Sequence, residues 1–312
     1  MRHCALAWIA AASLLLGAGC QRAQKAGSAP AAGVVPADAT AAMTPDPSTD
    51  TVYMCPMDKD IRAHAPGKCP RCGMALVTSI PEPAEYHLDV TASSAPVPGS
   101  PLRLTFDVTD PWKGNPVTKY SVIHEKLFHA FIVSEDLEFF RHVHPEWDDD
   151  IHAFTYDVTL PKAGMYRLLG DFYPEAATPQ LLSQTLMVPG TPPAHAMLKP
   201  DYAPKQTENM TVTMTTSPET PVAGLSARVR FALDPPDGHE RYLGAWAHML
   251  AASDDLIDLM HAHPKIADGT HEMQFDLVFP RARVYRIWVQ FQRKGVVNTA
   301  RFDVPVVAPP AS

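Results

Sequence analysis

Residues 127–145 (LFHAFIVSEDLEFFRHVHP) and 246–264 (WAHMLAASDDLIDLMHAHP) carry one pattern twice, 119 positions apart. His129, His142 and His144 return as His248, His261 and His263, and the proline that closes the segment, Pro145, returns as Pro264. Ser134, Asp136 and Leu137 return as Ser253, Asp255 and Leu256. The register then runs on without a gap, carrying His152 to His271, Asp157 to Asp276, Pro161 to Pro280 and Tyr166-Arg167 to Tyr285-Arg286. A period this long means two tandem domains on one plan and excludes a solenoid of short repeats.

Within each copy an apolar run meets a polar Ser-x-Asp-Leu cluster and a second run follows until a proline stops it, which is the pattern of a β-hairpin. A turn centred between Glu135 and Asp136 sets His129 opposite His142, and its counterpart sets His248 opposite His261. His144 and His263, two residues on, share the same face. Opposed side chains sit roughly 5 Å apart at Cβ and diagonal ones about 7–8 Å, so three imidazoles converge on a small patch suited to a metal ion. Packed or hydrogen-bonded histidines explain one such triad as readily; two at matched spacing favour ligation, since core packing has no need of imidazole three times per face. A loop with an odd number of residues would place His142 and His144 on the other face. His152 and His271 are possible fourth ligands, whereas Met249 and Met260 face the opposite way, into a core.

The remaining runs between Tyr86 and Val307 are short and alternating, separated by proline and glycine turns; the chain has 32 prolines against 16 glycines. Seven or so strands per hundred residues indicate two immunoglobulin-like β-sandwiches, at 84–190 and 207–308, joined by a proline-rich linker at 191–206 that contains His195 and Met197. The expected fold class is mainly β: a small cysteine-rich module followed by two tandem sandwiches. A formal charge of −8 argues against nucleic acid as a partner. The sandwiches contain no cysteine, which excludes a blue-copper centre, and no nucleophile motif, phosphate loop or placed general base points to an enzyme.

The first nineteen residues, with Arg2 and His3 ahead of an apolar stretch from Ala5 to Leu16, read as a secretory signal peptide. Leu14-Leu15-Leu16-Gly17-Ala18-Gly19-Cys20 resembles the lipobox of bacterial lipoproteins, although Gly17 stands where a larger aliphatic residue is usual. The resemblance implies lipidation at Cys20 and anchoring on the periplasmic side of the envelope, at the outer rather than the inner membrane given Gln21-Arg22. Ordinary cleavage to a soluble periplasmic protein is the alternative. Residues 20–50 lack bulky apolar side chains and read as a disordered tether.

Three cysteines remain, Cys55, Cys69 and Cys72, within residues 51–80. An odd set of thiols leaves one over in any disulfide framework, whereas a metal ion accounts for all three and staples a segment too short to fold by itself. Tyr53, Cys55-Pro56-Met57, Pro66-Gly67-Lys68-Cys69-Pro70, Cys72-Gly73-Met74 and Leu76 resemble the small heavy-metal-binding domain of copper-transporting P-type ATPases and of periplasmic adaptors of heavy-metal efflux pumps. That family has a histidine after Cys-Pro-Met and this chain has Asp58. The fourth ligand is therefore Asp58 through oxygen, His64, or the thioether of Met57 or Met74. The sandwiches also resemble small periplasmic Ig-like domains found beside such modules. Together the resemblances imply an envelope lipoprotein that binds copper or zinc and buffers it or delivers it to an efflux pump or transporter. The rival reading is a structural or protein-interaction lipoprotein in which zinc only folds the cysteine module.

Overall fold

The computed structural model describes residues 52–79, 84–195, 197–266 and 272–310, in which every regular element is a β-strand. The signal peptide, Cys20, the tether and His271 lie outside the described residues. The cysteine module is a three-stranded antiparallel sheet of β1 (Val52–Met54), β2 (Arg62–Ala63) and β3 (Val77–Ser79), with β1 in the middle.

The first sandwich contains β4 (His87–Ala92), β5 (Pro101–Thr109), β6 (Phe128–Ser134), β7 (Phe140–Val143), β8 (Glu146–Asp148), β9 (Ala153–Thr159), β10 (Gly164–Phe172) and β11 (Gln180–Val188). One sheet has the order β4-β5-β9-β8 and the other β11-β10-β6-β7. Alternation fixes which side of a strand faces in. In β5, Leu102, Leu104, Phe106 and Val108 are buried while the residues between them are not. Phe128 fills the space between the sheets, with ring centroids 5.5, 4.8 and 5.2 Å from Phe106, Phe154 and Phe172.

The second sandwich contains β12 (Lys205–Gln206), β13 (Thr211–Ser217), β14 (Ser226–Asp234), β15 (His239–Glu240), β16 (His248–Ser253), β17 (Leu259–Ala262), β18 (Lys265–Ile266), β19 (Glu272–Val278), β20 (Val284–Arg293) and β21 (Val296–Pro305). Its sheets are β12-β13-β14-β19-β18 and β15-β20-β16-β17, with β21 on the free side of β20. The repeated Tyr-Arg step has the same local role in both copies. Tyr166 Oη accepts the Lys162 N–H at 3.1 Å, and Tyr285 Oη the Arg281 N–H at 3.2 Å, each tying the strand start to the preceding turn.

β6 and β16 are buried on both faces. One side of β6 (Phe128, Ala130, Ile132) enters its own core, as does one side of β16 (Met249, Ala251). The other sides meet each other. Phe131, Val133, Leu137 and Leu169 of the first sandwich pack with Leu250, Ala252, Leu256 and Trp288 of the second in one shared apolar layer, where Trp288 stacks on Phe140 with centroids 4.8 Å apart. Arg286 reaches across to the Leu137 carbonyl (3.0 Å) and Glu138 (2.8 Å). The linker is not a free spacer either. Leu198 packs on the shared layer and Asp201 pairs with Asp303 of β21. The proline-rich linker therefore does not hold the two sandwiches apart: their hairpin sheets dock face to face.

Candidate metal centres

The hairpin register differs from the expected one by two residues. Phe131 pairs with His142 and Leu250 with His261, which puts His144 and His263 at the level of His129 and His248. The turn is the cause. Leu137 N–H donates to the Ser134 carbonyl (2.8 Å) and Ser134 N–H to the Phe139 carbonyl (3.1 Å), so the loop is residues 135–138 and its centre lies between Asp136 and Leu137. Asp136 accepts from Ser134 Oγ at 2.5 Å, and Leu137 takes a left-handed φ of 58°. Leu256 does the same at 54°. Such a φ is uncommon for leucine, and here both side chains are buried in the shared layer. An even displacement keeps every side chain on its face, so each triad still converges.

In each triad the ligating nitrogens lie within 4.8 Å of one another. Outer hydrogen bonds decide the tautomers. His129 Nε2–H donates to the Ile123 carbonyl at 3.0 Å, which leaves Nδ1 as a lone pair. Gln290 donates its amide nitrogen to Thr299 Oγ1 (3.1 Å), so its oxygen faces His142 and accepts that ring's Nδ1–H at 2.9 Å. His129 Nδ1 and His142 Nε2 then lie 3.1 Å apart, two lone pairs with no proton between them. In the second copy His248 Nε2–H likewise donates to the Tyr242 carbonyl (3.0 Å), but its Nδ1 lies 3.1 Å from Nε2 of His263, the counterpart of His144 rather than of His142. His144 Nε2 and His261 Nε2 are buried with no hydrogen-bond partner among the described residues. Buried acceptors without donors are costly, and a cation bound by several imidazoles satisfies them together. The donor set fits a transition-metal ion.

Burial, with the neighbouring imidazoles adding to it, keeps His129, His142, His144 and His248 neutral at pH 7. His129 is pushed down to about 4 and His144 to about 3, while His142 and His248 lie well below the usual histidine range. A sign follows for stability. The unfolded chain takes up protons near pH 6.5 that the folded cluster refuses, so the contribution is fully present above about 6.5 and is lost as pH falls toward about 4. Metal-free protein should therefore show a falling Tm between about pH 7 and pH 5; an unchanged Tm over that interval would contradict a neutral buried cluster.

Sequence reasoning missed three participants. His124, in the loop before β6, has its ring 3.8 Å from that of His263, and its Nδ1 is buried without a partner. Its signal in the sequence was that the second copy has Leu243 at the same place. Asp171 and Gln290, which orient His261 and His142 across the interface, lie on strands with no motif. His152, considered as a fourth ligand, is exposed and stacks on Trp147 instead. Met249 and Met260 face the second core, and His195 and Met197 are exposed linker residues.

In the module Cys55, Asp58, Cys69 and Cys72 form one cluster. The turn through Gly73, at φ 77°, directs Cys72 N–H toward Cys69 Sγ at 3.5 Å, and Asp58 N–H donates to Cys55 Sγ at 3.2 Å. Cys55 and Cys72 sulfurs are 3.5 Å apart, and Cys69 Sγ is 3.6 Å from Asp58 Oδ2. Asp58 Oδ1 is held by Lys113 of the first sandwich and by Arg71, and these two cations keep its carboxyl far below the usual range. Burial raises the Cys55 thiol, but N–H groups of Asp58 and Met57 outweigh it and bring the thiol down. At Cys72 the Met74 N–H pulls down, and burial with the Cys55 charge pushes the thiol up to about 11. The first thiolate forms readily and the last needs a metal ion to stabilise it. Of the other fourth-ligand options, His64, Met57 and Met74 are exposed.

A metal-capable thiolate module thus stands ahead of two docked β-sandwiches that press two metal-capable histidine triads together. The chain matches the heavy metal binding domain over residues 52–78. It matches a domain of unknown function (DUF8832) twice, over residues 80–186 and 205–308, and it belongs to that family. No match is found among curated proteins. Matches among solved structures include the FN1–FN3 domains of chicken CNTN1 (8% identity, 78% of this chain and 76% of that one, TM-score 0.21). Another is a two fibronectin type-III domain segment of chicken tenascin (10% identity, 71% and 99%, TM-score 0.22).

Proposed function

We propose that this protein is a lipid-anchored binder of heavy metal in a bacterial cell envelope, without enzymatic activity, that buffers copper or zinc and passes it to an export system. The observation that carries the reading is the pair of chemically different donor sets in one chain: a thiolate cluster suited to soft Cu(I) or to Zn(II), and imidazole triads suited to Cu(II) or Zn(II). Support for the anchor is the sequence ending in Cys20. Support for exchange is the partial exposure of Cys72, while Cys55 and Cys69 are fully covered, so one side of the cluster faces a donor or acceptor.

The test is metal analysis of full-length protein extracted from the membrane fraction with detergent, stripped, and reloaded anaerobically with Cu(I), Cu(II) or Zn(II). The expected result is one thiolate-bound ion and up to two imidazole-bound ions per chain. A chelator should withdraw the thiolate-bound ion without unfolding the chain if it is cargo. Withdrawal only together with unfolding of the module, and no ion on the triads, would establish the rival reading in which zinc is a staple. Recovery of unlipidated protein from the soluble fraction alone would remove the anchor.

A further inference from the structure

The two triads are related by the repeat, and their surroundings are not equal. β10 of the first sandwich carries Asp171 opposite His129, and β20 of the second carries Gln290 opposite His248. Each of these residues crosses the interface to the other triad. Asp171 Oδ2 accepts the Nδ1–H of His261 at 2.5 Å, and Gln290 Oε1 accepts that of His142 at 2.9 Å. A carboxylate behind a ligating imidazole raises its basicity and fixes its ring more strongly than a neutral amide does.

The second inequality is His124. Its loop and the loop of Leu243 are counterparts, each closed by a short antiparallel bridge (Ile123 with Lys126, Tyr242 with Ala245) and each turning through a left-handed residue, φ 49° at His124 and 51° at Leu243. His124 projects across the interface to the second triad. Its ring centroid lies 3.8 Å from His263 and 5.6 Å from His248, and its buried Nδ1 has no partner. Leu243 offers the first triad no donor. The triads themselves adjoin, with ring centroids of His142 and His248 5.1 Å apart and those of His129 and His248 5.8 Å apart.

We propose that the triads form one interdomain centre with two unequal sites for a divalent transition ion: a tight site at His248, His261 and His263 with His124 as an added donor, and an exchangeable site at His129, His142 and His144. This rests on the reading of the triads as metal sites. Four protein donors close a tetrahedral ion, whereas three leave a position for water or for a ligand from a partner. The tight site takes its ligands from both sandwiches and so clamps the interface, and the exchangeable site is the one through which metal moves.

The test is Co(II) and Zn(II) titration of the full chain against a chromophoric chelator, with the thiolate-bound ion identified separately by its sulfur-to-cobalt absorption. Wild type should bind two imidazole-coordinated ions with affinities at least about tenfold apart. Asp171→Asn should weaken the tighter by about 10–100-fold and leave the weaker alone. His124→Leu should weaken the tighter and change its Co(II) spectrum, and Leu243→His should strengthen the weaker. The last variant removes no donor and carries the test if the others unfold. Equal affinities in wild type, or no effect of Asp171→Asn, His124→Leu and Leu243→His on either affinity while His261→Ala with His263→Ala still removes one ion, would overturn the inequality and leave the triads as sites. No imidazole-bound ion in wild type would overturn the underlying reading and this one with it.

Discussion

Cys55→Ser is expected to remove the metal ion from the N-terminal module and to unfold residues 52–79 while both sandwiches keep their melting transition. Only Val52, Cys55, Asp58 and Cys69 of that segment are buried, and its strands are three, two and three residues long. A core of two cysteines, one valine and a carboxylate cannot offset the ordering entropy of the segment by itself. Structural zinc in small cysteine domains contributes an apparent binding energy on the order of 10–16 kcal/mol, much of which appears as folding energy, and a serine oxygen is a poor substitute for the thiolate. Contacts with the first sandwich, Arg62 to Asp110 at 2.9 Å, Asn115 to Asp60 at 3.2 Å and Lys113 to Asp58, hold the module in place but supply no apolar core for it. Amide hydrogen exchange of the wild type and the variant checks this. Loss of protection confined to 52–79, with one fewer ion per chain, is the expected outcome. Unchanged protection in the metal-free variant would mean that the module folds without its ion.

Arg286→Met is expected to destabilise the docked pair of sandwiches far more than Arg167→Met, although the two arginines are repeat counterparts. Arg286 is buried. Its guanidinium holds Asp303 through two hydrogen bonds of 2.8 and 2.9 Å and reaches the Leu137 carbonyl and Glu138 on the other sandwich. Removing it leaves the buried Asp303 carboxylate without its partner, which costs about 3–5 kcal/mol, or a Tm lower by roughly 10 °C in a domain pair of this size. Arg167, half-buried and bonded only to the hydroxyls of Thr185 and Ser183, holds no carboxylate among the described residues, so its removal leaves no buried charge unpaired and should stay within about 1 kcal/mol. Thermal denaturation of both variants decides it. Equal shifts would show that the bridge to the first sandwich contributes nothing beyond an ordinary surface contact.

Much of the candidate site was legible because it depends on local rules. Side chains alternate along a strand, so His142 and His144 share a face wherever the hairpin register settles, and a knuckle of Cys-Pro-Arg-Cys-Gly needs only its own turn to bring two thiols together. The register itself was misplaced by two residues because it hangs on Leu137 adopting a left-handed backbone. Propensity disfavours that conformation, and only burial of Leu137 against the second sandwich makes it favourable. His124 was passed over because it stands outside the hairpin and has no counterpart in the other copy.

The amino-acid sequence by itself determined two related β domains, a thiolate module and the shared face of each histidine set, since each of these follows from periodicity and spacing within short segments. Only the tertiary structure decided that the faces meet. A run such as FHAFIVS reads the same whether its second face packs on a partner sheet or remains at a surface patch, and no pattern within 119 residues of repeat reports which. Docking is set by the fit of Trp288 on Phe140, by the bridge from Arg286, and by the crossed bonds from Asp171 and Gln290. Those contacts join residues ninety or more positions apart, between copies that differ at most positions, and they bring two separate triads side by side.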